Sequence, residues 1–280
     1  MPVLLALCSA VVYGVGDWMG GRASRQQRSL VVAMIGQAMS LVLIGIVVAI
    51  AGTPAPDVST WMWGALGGVV GALGIAGLYH ALANGDVTVV APLSAVVGAV
   101  VPVVIAIATG ERPSALALAG MGIAAAAIAL VSGALGTHEH NTSRRIVTLS
   151  VFVGVCFGLL FVALERTDAD SGLWPLVAAR FASVPMLLAL VLITRSRVVR
   201  HRASLLFAIA AGVFDMSANV FYLAAVRTGL LSIVAVVASL YPASTVALAY
   251  VVDKERVSKW QAVGLGAAAV ALVMVTLSRQ

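Results

Sequence analysis

Charge is scarce in this 280-residue chain, and three charged side chains stand where charge is expensive. Of 17 Lys and Arg and 11 Asp and Glu, only Asp17, Arg180 and Asp215 fall well inside long apolar runs. Such residues normally face protein or a watery cavity, because hydrocarbon cannot solvate them. Asp215 is the sharpest signal, at the midpoint of the run 203–227, with Asn219 one helical turn later and Tyr222 about two turns later on the same face. A carboxylate, an amide and a phenol in one line can bind a small polar solute. Arg180 lies three residues before the centre of the run 173–193, and Gln37 is its counterpart 143 positions earlier. Both donate hydrogen bonds to a carboxylate, but only Arg keeps its charge and offers a bidentate fork. The reading is an anionic or zwitterionic group held by Arg180, or a standing ion pair with Asp215 or Asp17. A structural interhelical bond from Asp215 and a snorkelling Arg180 are the bland alternatives. Tyr241 precedes Pro242 at the centre of the run 230–251, where a lost backbone hydrogen bond can shape a cavity. Asp215 and His80 are the candidates for proton coupling, a desolvated carboxylate and an imidazole. Asp17, five residues before Arg22, is expected to cap the helix or pair with Arg22 or Arg25.

Other chemistries find no residues to carry them. His138 and His140 in T-H-E-H supply too few ligands for a metal. No Ser/His/Asp or paired-Asp arrangement occurs at mid-run positions, and no phosphate-binding G-x-x-x-x-G-K-[ST] loop is present. With 61% hydrophobic and 10% charged residues, no stretch remains for a soluble catalytic domain. We therefore expect no enzyme, no cofactor and no metal. The net charge of +6 sits in short connections, where it signals membrane topology rather than nucleic-acid binding. Cys8 and Cys156 read as small hydrophobes within apolar runs.

The elements that must position these residues are membrane-spanning helices. Polar punctuation predicts ten, over 2–21, 29–51, 60–84, 87–108, 114–134, 146–167, 173–193, 203–227, 230–251 and 257–277. Trp18, Trp61, Trp63, Trp174 and Trp260 fall near helix ends, as an interfacial aromatic belt requires. The halves repeat: a shift of 144 superposes Glu111-Arg112 on Glu255-Arg256, Ser114 on Ser258, Gly120 and Gly122 on Gly264 and Gly266, and Tyr13-Gly14 on Phe157-Gly158. A duplicated five-helix unit must sit upside down relative to its copy. The expected fold is thus all-α, a polytopic membrane protein of ten transmembrane helices built as two inverted five-helix repeats. The first repeat covers 1–136, a connecting loop 137–145, and the second repeat 146–280.

These features resemble the drug/metabolite transporter superfamily, in its ten-helix EamA-type branch. The likeness rests on the 5+5 layout, the connections G-E-R-P-S (110–114) and K-E-R-V-S (254–258), the Gly-x-Gly within the helix after each, and Tyr79 and Tyr222 near the ends of the third and eighth helices. It implies secondary transport of small organic solutes by alternating access, with export of amino acids or related metabolites favoured. It also implies a cavity lined by both halves and a structural role for Glu111 and Glu255. The partners are then a small-molecule substrate and the lipid bilayer, with proton or exchange coupling and no nucleic acid. The expected location is the bacterial inner (plasma) membrane. Two other readings stay open: efflux of drugs or cationic compounds, which Asp17 and Asp215 suit and Arg180 does not, and a non-transporting membrane scaffold.

Orientation sets two arguments against each other. Connections after the first, third, fifth, seventh and ninth helices hold 12 Lys and Arg, against 4 on the side of the termini. Positive-inside therefore places both termini outside the cytoplasm, whereas the family resemblance implies cytoplasmic termini. We favour the charge count. A C-terminal reporter active only in the cytoplasm should stay silent; a bright signal would mean the count misleads.

Overall fold

The computed structural model describes residues 1–85, 87–131, 143–198, 201–252 and 259–278. Residues 137–142 of the central connection, with His138 and His140, and Glu255-Arg256 lie outside them. All regular structure among the described residues is helical: α1 (Pro2–Ser24), α2 (Ser29–Ala51), α3 (Val58–Asn84), α4 (Val87–Ala108), α5 (Ala115–Val131), α6 (Arg144–Glu165), α7 (Trp174–Ile193), α8 (Arg202–Val226), α9 (Leu231–Ala238), α10 (Tyr241–Val252) and α11 (Lys259–Leu277), with one 3-10 turn at Ala169–Ser171. Six of them, α1, α2, α3, α6, α7 and α8, are long and apolar enough to cross a membrane, and shorter apolar helices occupy Leu93–Ala108, Ala115–Leu130, Leu231–Thr245 and Ala262–Leu277. The chain is a polytopic integral membrane protein.

Polar residues start and stop these helices. Asp57 caps α3 by accepting from the Thr60 amide at 3.0 Å. Hydrogen bonds from Thr60 hold its carboxyl below the usual range, so this capping contribution is lost as pH falls through that lowered value. Ser143 and His201 cap α6 and α8 in the same way. The cap of α9 comes from a distant connection. Glu111 Oε1 accepts from the Leu231 amide at 2.7 Å, while its Oε2 accepts from the Ser232 amide at 3.1 Å and the Ser232 hydroxyl at 2.6 Å. A carboxylate at a helix N-terminus is favourable on both hydrogen-bonding and dipole grounds. The structural role expected of Glu111 is therefore a specific one.

The ninth predicted span departs from expectation. It breaks at Ser239 and Leu240 into α9 and α10. The Ser239 and Leu240 amides turn back to Ala235 and Val237, and Pro242 has no N–H to offer the carbonyl of Ala238.

Helices of the first half pack chiefly on helices of the second: α1 on α8, α3 on α6 and α7, α4 on α6 and α9, α2 on α7 and α8, and α5 on α11. Glycines make these approaches possible. Gly212 faces the backbone of Gly36, Gly68 that of Ala179, and Gly64 lies against Pro175 and Ala178. Hydroxyls then bond across the close contacts, Ser40 to the Gly212 carbonyl at 2.6 Å and Ser9 to the Ala218 carbonyl at 2.9 Å. A methyl group at Gly212 or Gly68 would strike backbone. Gly212→Ala and Gly68→Ala should each destabilise by about 1–3 kcal/mol. Gly45→Ala, where an added Cβ meets nothing within 4 Å, should stay within about 0.5 kcal/mol of the parent. Thermal unfolding in detergent separates the two groups, and equal behaviour of all three variants would refute the packing argument.

Candidate functional site

The close helix contacts also place the polar side chains. Gln37 follows Gly36, Asp215 lies one turn beyond Gly212, Arg180 follows Ala179, and Asp17 follows Gly16, which faces Ala211, Phe214 and the backbone of Asp215. Each polar group therefore emerges beside a point where two backbones nearly touch. α7 is steered from its N-terminal end, where Trp174 Nε1 donates to the Thr53 carbonyl at 3.2 Å and the Trp174 and Trp61 rings pack 5.8 Å apart.

Arg180 Nη2 donates to Asp215 Oδ2 at 2.7 Å. The arginine side chain is 4% exposed and the carboxylate side chain 16%. This is the standing ion pair that the sequence offered as one alternative. Asn219 Nδ2 donates to the Asp215 carbonyl at 2.8 Å, keeping the amide beside the pair. Ser183 Oγ donates to Gln37 Oε1 at 2.8 Å, tying α7 to α2. On the opposite wall, Tyr241 Oη lies 3.2 Å from Ser94 Oγ and 3.4 Å from the Ala91 carbonyl. Two buried polar atoms of the residues lining this space have no hydrogen-bond partner, Arg180 Nε and Tyr13 Oη. Asp17 is buried in the same lining. The cavity they enclose measures about 30 Å³, room for on the order of two water molecules.

Five of the six residues proposed for binding meet here: Asp215, Arg180, Asn219, Gln37 and Tyr241 all line the cavity. Tyr222 stands behind the wall. Its ring stacks on Phe161 at 4.2 Å and its hydroxyl donates to the Phe161 carbonyl at 3.2 Å. His80 is exposed at the end of α3, in a separate cleft, so the two proton-coupling candidates are not brought together. The expected cap or ion pair for Asp17 also gives way to a cavity position, while Arg22 places its guanidinium over the Trp18 ring at 5.2 Å. Sequence reasoning left Tyr13, Asp17 and Ser94 out of the site. One signal was available: Tyr13 and Asp17 are spaced i, i+4 on one helix face. The repeat held a second, since Phe157, the counterpart of Tyr13, lines the cavity too. Arg180 and Asp215 reach each other although α7 and α8 touch only slightly, because α2 lies against both.

A family model described as EamA-like transporter family matches residues 1–133 and again 144–277. No curated protein matches this chain. Twenty-eight chains of solved structures do. One of them, described only as "Crystal structure of protein", aligns over 99% of this chain and 96% of its own length, with a TM-score of 0.77 and 14% sequence identity. At that identity the likeness speaks for the fold alone. The family model, spanning nearly the whole chain in two successive matches, settles the assignment: this chain belongs to the EamA-like transporter family, whose members are membrane transporters.

Proposed function

We propose that the chain is a secondary transporter of small zwitterionic solutes, amino acids or related metabolites, working by alternating access of two inverted five-helix repeats, 1–136 and 146–280. The observation that carries the substrate class is the buried set of one arginine, two carboxylates and an unpartnered phenol. A solute carboxylate suits Arg180 Nε and Tyr13 Oη, both free to donate, and a solute ammonium suits Asp17. Export is the favoured direction, on the family resemblance. Supporting the inverted architecture, helix contacts fall in matched pairs under exchange of the halves. With α9 and α10 counted as one broken span, α1 on α8 answers α6 on α3, and α2 on α8 answers α7 on α3.

In this reading the structure is a contracted state, since the cavity is too small for an amino acid. The side bearing the termini is sealed by the Glu111 cap on α9, by the Phe161–Tyr222 stack, and by Arg227, which donates to the Asp168 carbonyl and to Ser171 Oγ. Toward the other side α4 makes only slight contact with α10 among the described residues, and separation there would admit solute. Two carboxylates facing one arginine also favour a second reading, efflux of cationic compounds. The transport selectivity of the Arg180 variants decides between them.

Arg180→Gln and Asp215→Asn should each cut transport at least tenfold in proteoliposomes, and each should destabilise by about 3–5 kcal/mol by leaving a buried charge unpaired. The double variant should recover stability without recovering transport. Recovery of both would make the pair structural only, and cation transport that survives Arg180→Gln would favour the cationic substrate. Coupling is proposed to be to protons, carried by the acidic pair as solute leaves. An imposed pH gradient should then change the transport rate, and Asp17→Asn or Asp215→Asn should abolish that response. A pH-indifferent rate with solute moving would point to exchange or facilitated diffusion.

A further inference from the structure

Away from the central cavity, a cleft of about 920 Å³ opens where α1, α3 and α7 end and α2 begins. Its walls carry Arg25 and Arg28 from the turn after α1, Arg195 and Arg197 from the segment after α7, and His80 from the end of α3. No Asp or Glu lines it among the described residues. The two arginine-bearing segments are held together by Arg28 Nη1, which donates to Ser196 Oγ at 3.1 Å. Topology signalling accounts for basic residues on this side of the membrane. It does not account for their convergence on one concavity, or for the group at its base. Ser24 lines the cleft, is 8% exposed, and its hydroxyl has no hydrogen-bond partner. Buried hydroxyls are ordinarily satisfied, so this one marks a place for an acceptor. Arg195, with φ at +47°, is the left-handed residue that ends α7, where its amide donates to the Leu192 carbonyl and the Ser196 amide to the Val191 carbonyl.

An acceptor met by several guanidinium groups and a hydroxyl is an anion with multiple oxygens, and a phosphate group has that chemistry. We propose that this cleft binds the phosphate headgroup of an anionic phospholipid. The cleft lies at the ends of spanning helices, at headgroup level, and Leu30 and Ala83 give its wall an apolar part for the adjoining acyl chains. Basic pockets between membrane helices recognise lipid headgroups through these same elements. The occupant would bridge the α1–α2 turn to the end of α7, the helix that carries Arg180.

The test uses the full-length protein in detergent, titrated with phosphatidylglycerol, phosphatidylcholine or inorganic phosphate while thermal unfolding is followed. Phosphatidylglycerol should raise the unfolding temperature saturably, and phosphatidylcholine should not. Arg195→Gln and Arg197→Gln should each weaken the apparent phosphatidylglycerol affinity about fivefold. Their lipid-free unfolding temperatures should stay at the parent value, because both side chains are exposed. Ser24→Ala should weaken the same affinity about threefold. Equal shifts from the two lipids, or affinities unchanged by all three substitutions, would overturn the proposal. A full shift from millimolar inorganic phosphate that abolishes the lipid effect would overturn the lipid and leave a site for a free anion.

Discussion

Inside a bilayer, lipid tails are as apolar as leucine, so nothing drives apolar helix faces together as water does in a soluble core. Association must come from close contact and from hydrogen bonds that close contact allows. Here the requirement is met by glycines set opposite backbone: Gly36 against Gly212, Gly68 against Ala179, and Gly154 against Ser94. The serine bonds between helices depend on those approaches. So does the polar cavity, because Gln37, Arg180 and Asp215 each stand within a turn of such a contact. Packing and site are consequently one design, and moving α2 relative to α8 moves both.

The charges in the cavity follow from the same solvent. An arginine sealed from water needs a counter-charge, and Asp215 supplies it at 2.7 Å. Replacing a buried pair by apolar residues is often neutral or stabilising, so stability alone is a weak reason for Arg180 and Asp215 to be there. The proposed binding role supplies a better one. The pair leaves Nε of Arg180 uncommitted, in the same lining as the unpartnered hydroxyl of Tyr13, so the arginine can gain a second acceptor without surrendering its first.

Much of this was legible in the residues. The helical spans and all three intramembrane charges could be read because charge and apolar length are strong signals in a chain where charge is rare. Gln37 was found through the repeat, as the counterpart of Arg180. The break at Ser239 and Leu240 was not, since Pro242 signals a kink without saying whether the helix bends or stops. The periodicity of Tyr222 with Asp215 gives a helix face but not how far along the bundle the cavity extends. Nearness in sequence suggests Arg22 as the partner of Asp17, but that guanidinium lies over the Trp18 ring. Which partner a long side chain selects depends on the neighbouring helix, and α8 contributes Phe207 to that choice. His80 could not be separated from the cavity by sequence, because distance along the membrane normal is poorly defined near a helix end.

The interlocking of the halves also bears on biosynthesis. Since α1 rests on α8 and α3 on α6 and α7, the first five helices enter the bilayer before most of their packing surfaces exist. At 5–20 residues per second, the rest of the chain takes on the order of ten seconds to follow. Through that interval Asp17 and Gln37 must be tolerated in lipid without their eventual neighbours.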